Sequence, residues 1–223
     1  MSKRYKLLLI LIVFIIGIVW IIHNAFFQKV IENKALKQVY EKVAFSKFPS
    51  IQLKDGDIIL RRGYGVDSTI STNFSQGEKR YSHVGFISQT AKGIFVIHVV
   101  EDKEKSLNGL YVESLGEFLD KVSIWAIYRY NFLQKNSKKM MNYIDDLKKI
   151  NITFDIEFNL DDDEKMYCSE FIYKVINRTN EKELITAGKI FMGKKFVTIS
   201  DVYENTNCKL VERSHKLLKG KDK

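Results

Sequence analysis

The sequence predicts an α+β fold built around a central antiparallel sheet. Three short β-rich runs follow one another after Pro49 with turn residues between them, and helical patterns come after the strands. The composition is that of a packed globular chain, because 45% of the 223 residues are apolar, 28% are charged and one is proline. Disordered, collagen-like and low-complexity proteins are thereby excluded. The length favours one sizeable core with an appendage over two large domains.

The first element along the chain is an apolar segment near the N-terminus. Leu7–Ile22 is a run of sixteen residues without a polar side chain, and its apolar flanks extend it to 23 residues. As a helix, 23 residues span about 34 Å, enough to cross the hydrocarbon layer of a bilayer. No small-residue cleavage site and no lipid-attachment cysteine follows, which favours an uncleaved transmembrane helix over a signal peptide or a buried core helix. Lys3, Arg4 and Lys6 predict an inside N-terminus and a globular body outside the cytoplasm.

The positive charge of the chain is concentrated at its two ends. The formal net charge is +9, of which residues 1–30 carry +4 and residues 211–223 carry +3. Residues 31–210 therefore keep only +2. Because the globular body lacks a strongly basic balance, the sequence predicts no nucleic-acid partner and points to the bilayer as the partner of the charged ends.

The remaining elements follow in chain order. Residues 31–45 repeat apolar side chains at helical spacing and predict a juxtamembrane helix that ends before Pro49. Strands are predicted at 55–60, 82–87, 93–100 and 123–130, and helices at 114–120, 137–150 and from 168 onward. These patterns divide the chain into a membrane anchor (1–30), a juxtamembrane helix or linker (31–48), a globular domain (49–213) and a basic tail (214–223).

Cys168 is the candidate nucleophile. It stands where an acidic stretch gives way to a helical pattern, so the unpaired N–H groups of the first turn would face its sulfur and any oxyanion formed beside it. A helix start lowers the pKa of a thiol and favours the reactive thiolate. The alternative is a buried cysteine that only packs at a helix start. Cys208 lies in a polar stretch far from the other motifs and is predicted to be a free or buried thiol.

Two of the four histidines, His83 and His98, lie within predicted strands. Side chains at 83 and 85 share one face of a strand, and Gly85 leaves space beside the imidazole. A hairpin would bring His98 next to this strand, where the two rings can meet if the register allows it. A histidine base oriented by a second polar group is the arrangement that a thiol nucleophile requires. Two half-exposed histidines without a role, or a His/His/Cys zinc site that lacks a clear fourth ligand, remain alternatives.

Several motifs together resemble the YiiX/YebB-type branch of the NlpC-like cysteine hydrolases. They are Gly56–Leu60, Tyr81–Phe86, Phe154–Asn159 leading to Tyr167–Phe171, and Phe196–Asp201. Members of this branch are papain-like domains with a circularly permuted chain, in which the histidine precedes the cysteine, as it does here. The resemblance covers about residues 50–205. It implies that the domain at 49–213 is a permuted papain-like hydrolase.

The resemblance also implies the roles of three residues. The nucleophile falls on Cys168, the general base on His83, and a third polar residue on the neighbouring strand. We place His98 there because strand parity puts it on the face of His83, whereas Glu101, the competing residue, lies on the opposite face.

The expected protein is a membrane-anchored thiol hydrolase that cleaves an amide or ester bond through a thioacyl intermediate, without a cofactor. Its expected substrate is a small peptide, an amino-acid amide or a lipid acyl group. A lipid acyltransferase and a non-catalytic, membrane-tethered ligand-binding module of the same fold are the alternatives.

Overall fold

The computed structural model describes residues 14–18, 20, 48–63, 80–102, 105–120, 122–191 and 193–214. The chain divides into two compact units, Met1–Val43 and Ala44–Lys223. In the first unit, residues 14–18 and 20 are helical, and the side chains of Phe14, Ile16 and Trp20 are exposed. No helix among the described residues is long and apolar enough to cross a bilayer. The predicted anchor and the predicted juxtamembrane helix lie mostly outside the described residues.

A six-stranded antiparallel sheet forms the centre of the second unit. Its strands lie side by side in the order β10-β5-β1-β2-β3-β4, and every neighbouring pair is antiparallel. The six strands are β1 (Ile58–Gly63), β2 (His83–Thr90), β3 (Gly93–Asp102), β4 (Leu107–Ser114), β5 (Val122–Tyr130) and β10 (Cys208–Arg213). The central antiparallel sheet predicted from the sequence is confirmed.

Four helices and two small sheets complete the described part of this unit. The helices are α1 (Leu115–Phe118), α2 (Leu133–Lys149), α3 (Cys168–Asn180) and α4 (Ile199–Tyr203). One small sheet pairs β6 (Thr153–Phe154) with β7 (Lys165–Met166), and the other pairs β8 (Lys189–Phe191) with β9 (Lys194–Phe196). The side chain of Ser114 accepts a hydrogen bond from the N–H of Glu117, which fixes the start of α1.

The two faces of the central sheet bury different partners. On one face, Ile59, Ile87 and Trp125 cluster with Phe118 of α1. On the other face, α3 packs on the sheet, where the ring of Phe86 lies 5.7 Å from the ring of Phe171 in a T-shaped contact. Burying apolar side chains on both faces stabilises the sheet. The sheet therefore supplies a rigid support for side chains at its strand ends.

Two strands of the central sheet, and the four short strands of the two small sheets, were not predicted from the sequence. β4 contains Gly109, whose φ of +114° is one that other residues rarely adopt, and a Cβ there would lie 1.8 Å from the carbonyl oxygen of Ile152. Asn108 and Gly109 together are typical of a turn, which hides this strand in the sequence. β10 begins at Cys208, inside the stretch predicted to be a polar loop.

Candidate active site

The strand pair β2 and β3 brings His83 and His98 together. The register that pairs Phe86 with Ile97 places His98 opposite Gly85. A Cβ on Gly85 would lie 3.0 Å from the Cβ of His98 and 2.6 Å from Cγ1 of Val96, so only glycine leaves this space open. Nδ1 of His98 lies 2.7 Å from Nε2 of His83. The two imidazoles form a hydrogen bond in which one nitrogen donates and the other accepts.

Glu113 on β4 lies behind His98. Its Oε1 is 3.1 Å from Nε2 of His98, and the side chains of Glu113 and His98 are 9% and 1% exposed. The contact is short but bent away from ideal hydrogen-bond geometry, and through it Glu113 raises the pKa of His98. Because β3 and β4 pair His98 with Tyr111, Glu113 lies diagonally from His98 on the same face. The structure thus orders Glu113, His98 and His83 in a row across three strands.

An aromatic ring and a cation cover this row. The ring of Phe118 lies 5.3 Å from the ring of His98 and 5.8 Å from that of His83. Arg61, the register partner of His83 on β1, stacks its guanidinium 4.3 Å from the centre of the Phe118 ring. Nη1 of Arg61 donates to the Phe118 carbonyl. These contacts place a positive charge near the histidines and exclude water from one side of them.

Both imidazoles are held in the neutral form. Burial lowers the pKa of His83 well below 6.5, and the positive charges that His98 and Arg61 can carry lower it further. Burial also lowers the pKa of His98, while the carboxylate of Glu113 raises it. A neutral His83 has one ring nitrogen without a proton, so it can accept a proton from a neighbouring group.

Cys168 is the first residue of α3, as the sequence predicts. The backbone N–H groups of Val84, Cys168 and Ser169 face its sulfur and favour the thiolate. Burial has the larger effect and raises the pKa of the Cys168 thiol to about 11. The lowered thiol pKa expected from the helix start is therefore wrong, because desolvation of the thiolate outweighs the N–H groups.

The sulfur of Cys168 lies next to the backbone that carries His83. Val84, whose N–H faces the sulfur, follows His83 directly, so the sulfur lies within about 6 Å of the His83 Cα. Among the described side chains, no hydrogen bond joins the sulfur to the His83 ring, which instead contacts His98. Catalytic hydrogen bonds often close only when substrate binds. The structure thus brings the sulfur of Cys168 to the start of β2, whereas the ring of His83 contacts His98 and Phe118.

Tyr167 and Glu170 hold the start of α3 in position. The hydroxyl of Tyr167 accepts the N–H of Val197 at 2.8 Å. Glu170 is fully buried, accepts the N–H of Tyr167 at 3.2 Å, and lies 3.0 Å from Nζ of Lys174. Burial raises the pKa of Glu170 to about 8. A glutamate three residues after the residue that precedes a helix, here Tyr167, is the sequence signal for such a cap.

Glu101, the competing candidate for the third residue, and Cys208 both lie away from this row. Glu101 is exposed and pairs with Asn108 in the β3–β4 register, on the face opposite His98. Cys208 begins the edge strand β10 opposite Tyr130 and is a free thiol, as Cys168 is. Glu113 had no role in the sequence analysis, because only the pairing of β4 with β3 brings it to His98.

One solved structure with a similar fold is the crystal structure of the metalloprotein YiiX from Escherichia coli O157:H7. It aligns with a TM-score of 0.60 and 15% sequence identity, over 74% of this chain and 100% of that chain. At this identity the likeness shows the fold alone. A search of curated proteins found no match to this sequence.

The description of YiiX as a metalloprotein raises the question of whether this site could hold a metal ion. The described residues contain no group of three or more His, Cys, Asp or Glu side chains placed to hold one. His83 and His98 direct two nitrogens at each other at 2.7 Å. Two nitrogens that each lie about 2.0 to 2.1 Å from one tetrahedral zinc ion are farther apart than this. The described side chains therefore do not fit a metal ion between these rings.

The sequence also matches a family model over most of the globular domain. The model describes the permuted papain-like amidase enzymes YaeF/YiiX, C92 family, and it matches residues 52–215. The match includes all ten strands and four helices described above, and with them His83, His98 and Cys168. This chain belongs to the YaeF/YiiX family of permuted papain-like amidases.

Proposed function

We propose that this chain is a cysteine hydrolase of an amide or ester bond, with Cys168 as the nucleophile, His83 as the general base and His98 as the residue that orients His83. The observation that carries the proposal is the partly buried His83–His98 pair, 2.7 Å apart, with His83 on the strand next to a cysteine at a helix start. A base oriented by a second polar group is what a thiol nucleophile needs for acyl transfer.

The pKa directions support a reaction that begins from a neutral thiol and a neutral imidazole. The pKa of Cys168 is raised and that of His83 is lowered, so an ion pair is disfavoured before substrate binds. His83 takes the thiol proton as the sulfur attacks the carbonyl carbon, which forms a C–S bond and a tetrahedral oxyanion. His83 then gives that proton to the leaving amine or alcohol as its bond to carbon breaks. Water, activated by His83, releases the acyl group from the thioester.

The backbone around Cys168 suits the charge that develops in this reaction. The N–H groups of Cys168, Ser169 and Val84 already face the sulfur, and the first turn of a helix leaves such groups without intrahelical partners. Fixed donors in a water-excluded site stabilise an oxyanion without reorganising. We assign the backbone N–H groups of Cys168 and Ser169 to this role.

The proposed substrates are a small peptide, an amino-acid amide or a lipid acyl group. An acyltransferase would use the same thioester and replace water with another nucleophile. A ligand-binding module would hold the same compounds without forming a thioester. No described feature favours either alternative over hydrolysis.

We also propose that residues 1–30 anchor the chain in a bilayer, with the N-terminus inside and the hydrolase domain outside the cytoplasm. The apolar run Leu7–Ile22 supports this location, as does the exposure of Phe14, Ile16 and Trp20 on the helical residues. Retention of the full chain in membranes washed with alkaline carbonate, and release of a chain that lacks residues 1–30, would support the anchor. Release of the full chain would contradict it.

Trapping the acyl-enzyme tests the proposed chemistry. The full-length protein is mixed with a crude membrane or cell-wall extract and quenched in acid, and its peptides are analysed by mass spectrometry. We expect an added acyl mass on Cys168 and none on Cys208, and we expect the Cys168→Ala variant to stay unmodified and inactive. A Cys168→Ala variant that keeps full hydrolytic activity would refute the assignment. The added mass also identifies the acyl group.

A further inference from the structure

We infer that Glu113 is a positioning residue that sets the tautomers of His98 and His83, so that His83 presents an unprotonated Nδ1 for the proton of Cys168. The inference rests on the proposed function for its catalytic meaning. The position of each proton before reaction follows from the geometry alone.

The carboxylate of Glu113 determines which ring nitrogen of His98 carries the proton. Nε2 of His98 lies 3.1 Å from Oε1 of Glu113. An unprotonated Nε2 would direct a lone pair at a carboxylate oxygen, and both are acceptors. A proton on Nε2 instead faces the negative charge, and it does so even though the contact is bent. The carboxylate therefore selects the tautomer of His98 that carries its proton on Nε2.

The tautomer of His98 in turn determines the tautomer of His83. A neutral His98 with its proton on Nε2 has a lone pair on Nδ1, and that atom lies 2.7 Å from Nε2 of His83. A contact this short requires a proton between the two nitrogens, so Nε2 of His83 is the donor. A neutral imidazole carries one N–H, which leaves Nδ1 of His83 unprotonated. Glu113 thus determines which nitrogen of His83 is basic, although the two side chains are separated by His98.

The other charged and titratable groups around the two histidines do not determine which ring nitrogens carry the protons. Arg61 on β1 and Lys105 before β4 lower the pKa of His98, which disfavours its cation but does not distinguish its nitrogens. The ring of Tyr111 lies 6.2 Å from that of His98 in a T-shaped contact. Cys168 lies at the other end of the row, on α3. Among the described side chains, Glu113 is the carboxylate that lies against the pair.

The same carboxylate offsets the charge formed during reaction. When Nδ1 of His83 takes the proton from Cys168, the His83 ring becomes an imidazolium that still donates from Nε2 to His98. The proton on Nε2 of His98 stays in place, with the negative charge of Glu113 behind it. No proton needs to reach Glu113, and the imidazolium is stabilised through one intervening ring, as in hydrolases that place a carboxylate directly behind the base.

The direct test is the position of the ring protons. Two-bond ¹H–¹⁵N spectra of ¹⁵N-histidine-labelled full-length protein distinguish protonated from unprotonated ring nitrogens, and a His98→Asn variant assigns the signals. We expect His98 and His83 each to carry a proton on Nε2 and none on Nδ1. A proton on Nδ1 of His98 in the unmodified protein would overturn the inference. This readout needs no substrate and no variant of Glu113.

Variants of Glu113 extend the test to catalysis. In Glu113→Gln the amide can donate to Nε2 of His98, so we expect the reversed tautomers and a fall in kcat/KM for p-nitrophenyl acetate of about 10- to 100-fold. Glu113→Asp keeps the charge and should restore the original tautomers and part of the activity. Glu183→Gln removes an exposed carboxylate and serves as the control, with unchanged tautomers and activity.

These outcomes separate the inference from the proposed function. Unchanged tautomers in Glu113→Gln would overturn the role of Glu113, even where activity still depends on Cys168. Full activity in Cys168→Ala would overturn the proposed function and leave the tautomer assignment standing.

Discussion

Both cysteines of the chain are shielded from water, Cys168 more fully than Cys208, and they differ in polar surroundings. Burial raises the thiol pKa of Cys168 to about 11 and that of Cys208 to about 12. Cys168, at the start of α3, faces three backbone N–H groups. One of them belongs to Val84, the residue that follows His83. Cys208 begins an edge strand beside Tyr130, whose hydroxyl donates to the carbonyl of Val202 at 2.6 Å.

This difference shows that the resting pKa of a thiol does not identify the nucleophile here. Both thiols are protonated at neutral pH, so their pKa values alone do not distinguish the two cysteines. What distinguishes Cys168 is its place at the start of a helix beside the strand that carries His83. In the proposed reaction the base and the backbone N–H donors act in the transition state. Variants that change the surroundings of Cys168 should make its reactivity approach that of Cys208.

The largest effect is expected from removing the group that orients the base. His98→Ala leaves the His83 ring without its 2.7 Å partner, so we expect kcat/KM for p-nitrophenyl acetate to fall by about 100-fold. Glu101→Gln should keep activity within about twofold, since Glu101 is exposed on the opposite face of the sheet. The reverse result, a large loss in Glu101→Gln and none in His98→Ala, would make Glu101 the third residue.

A second measurement compares the pH dependence of the two thiols. Each thiol reacts as its thiolate, and the thiolate fraction rises about tenfold per pH unit below the pKa. A raised pKa therefore keeps the rate rising above pH 9, where an ordinary thiol with a pKa of 9.0 begins to level off. In the folded protein we expect the iodoacetamide rate of Cys168 to rise toward about pH 11 and that of Cys208 toward about pH 12.

Alkylation is read site by site from tryptic peptides, with the urea-unfolded chain as the control in which both cysteines level off near pH 9. At pH 8, a thiol pKa of about 11 in place of 9.0 makes alkylation of folded Cys168 roughly 100-fold slower than that of an exposed thiol. A plateau for Cys168 below pH 7 would contradict the neutral resting pair and indicate a preformed thiolate.

The smallest expected effect comes from Gly85. In Gly85→Ala the new methyl group would lie 2.6 Å from Val96 and 3.0 Å from the Cβ of His98, so it should displace the His98 ring. We expect a loss of about 1 to 3 kcal/mol in the free energy of unfolding and about a tenfold loss in kcat/KM. Gly63→Ala is the matched control, because nothing lies within 4 Å of a Cβ at that position.

Urea titration measures the stability of both glycine variants. Equal activity of Gly85→Ala and Gly63→Ala would show that the His98 ring does not need the space that Gly85 leaves.

Much of the fold could be predicted from the sequence, because the relevant signals are local. Alternating apolar side chains predicted β1, β2, β3 and β5, and the helical pattern after the acidic stretch placed Cys168 at the start of α3. β4 was missed because Asn108 and Gly109 imitate a turn, whereas in the fold Gly109 lets the backbone at Ile152 approach closely. β10 was missed because three of its six residues are charged, it begins in a polar stretch, and its strand character comes from pairing with β5.

Some features of the candidate site could also be predicted from the sequence, and others could not. His83 and His98 could be placed on one face by strand parity and by the glycine between them. Glu113 could not, because its contact with His98 depends on the register of β4, a strand that the sequence did not predict. The pKa of Cys168 could not be predicted either, since the helix start lowers it and burial raises it, and only the structure shows that burial dominates.

The order of strands in the sheet has a consequence for assembly. Glu113, His98 and His83 lie on β4, β3 and β2, three strands that are consecutive in the chain and joined antiparallel. Such a meander closes short loops and forms at low entropic cost. Cys168 follows 55 residues after Glu113 and joins the site only when α3 docks. The row of ionisable side chains is thus encoded in one local stretch of the chain, whereas the thiol that completes the candidate site comes from a distant one.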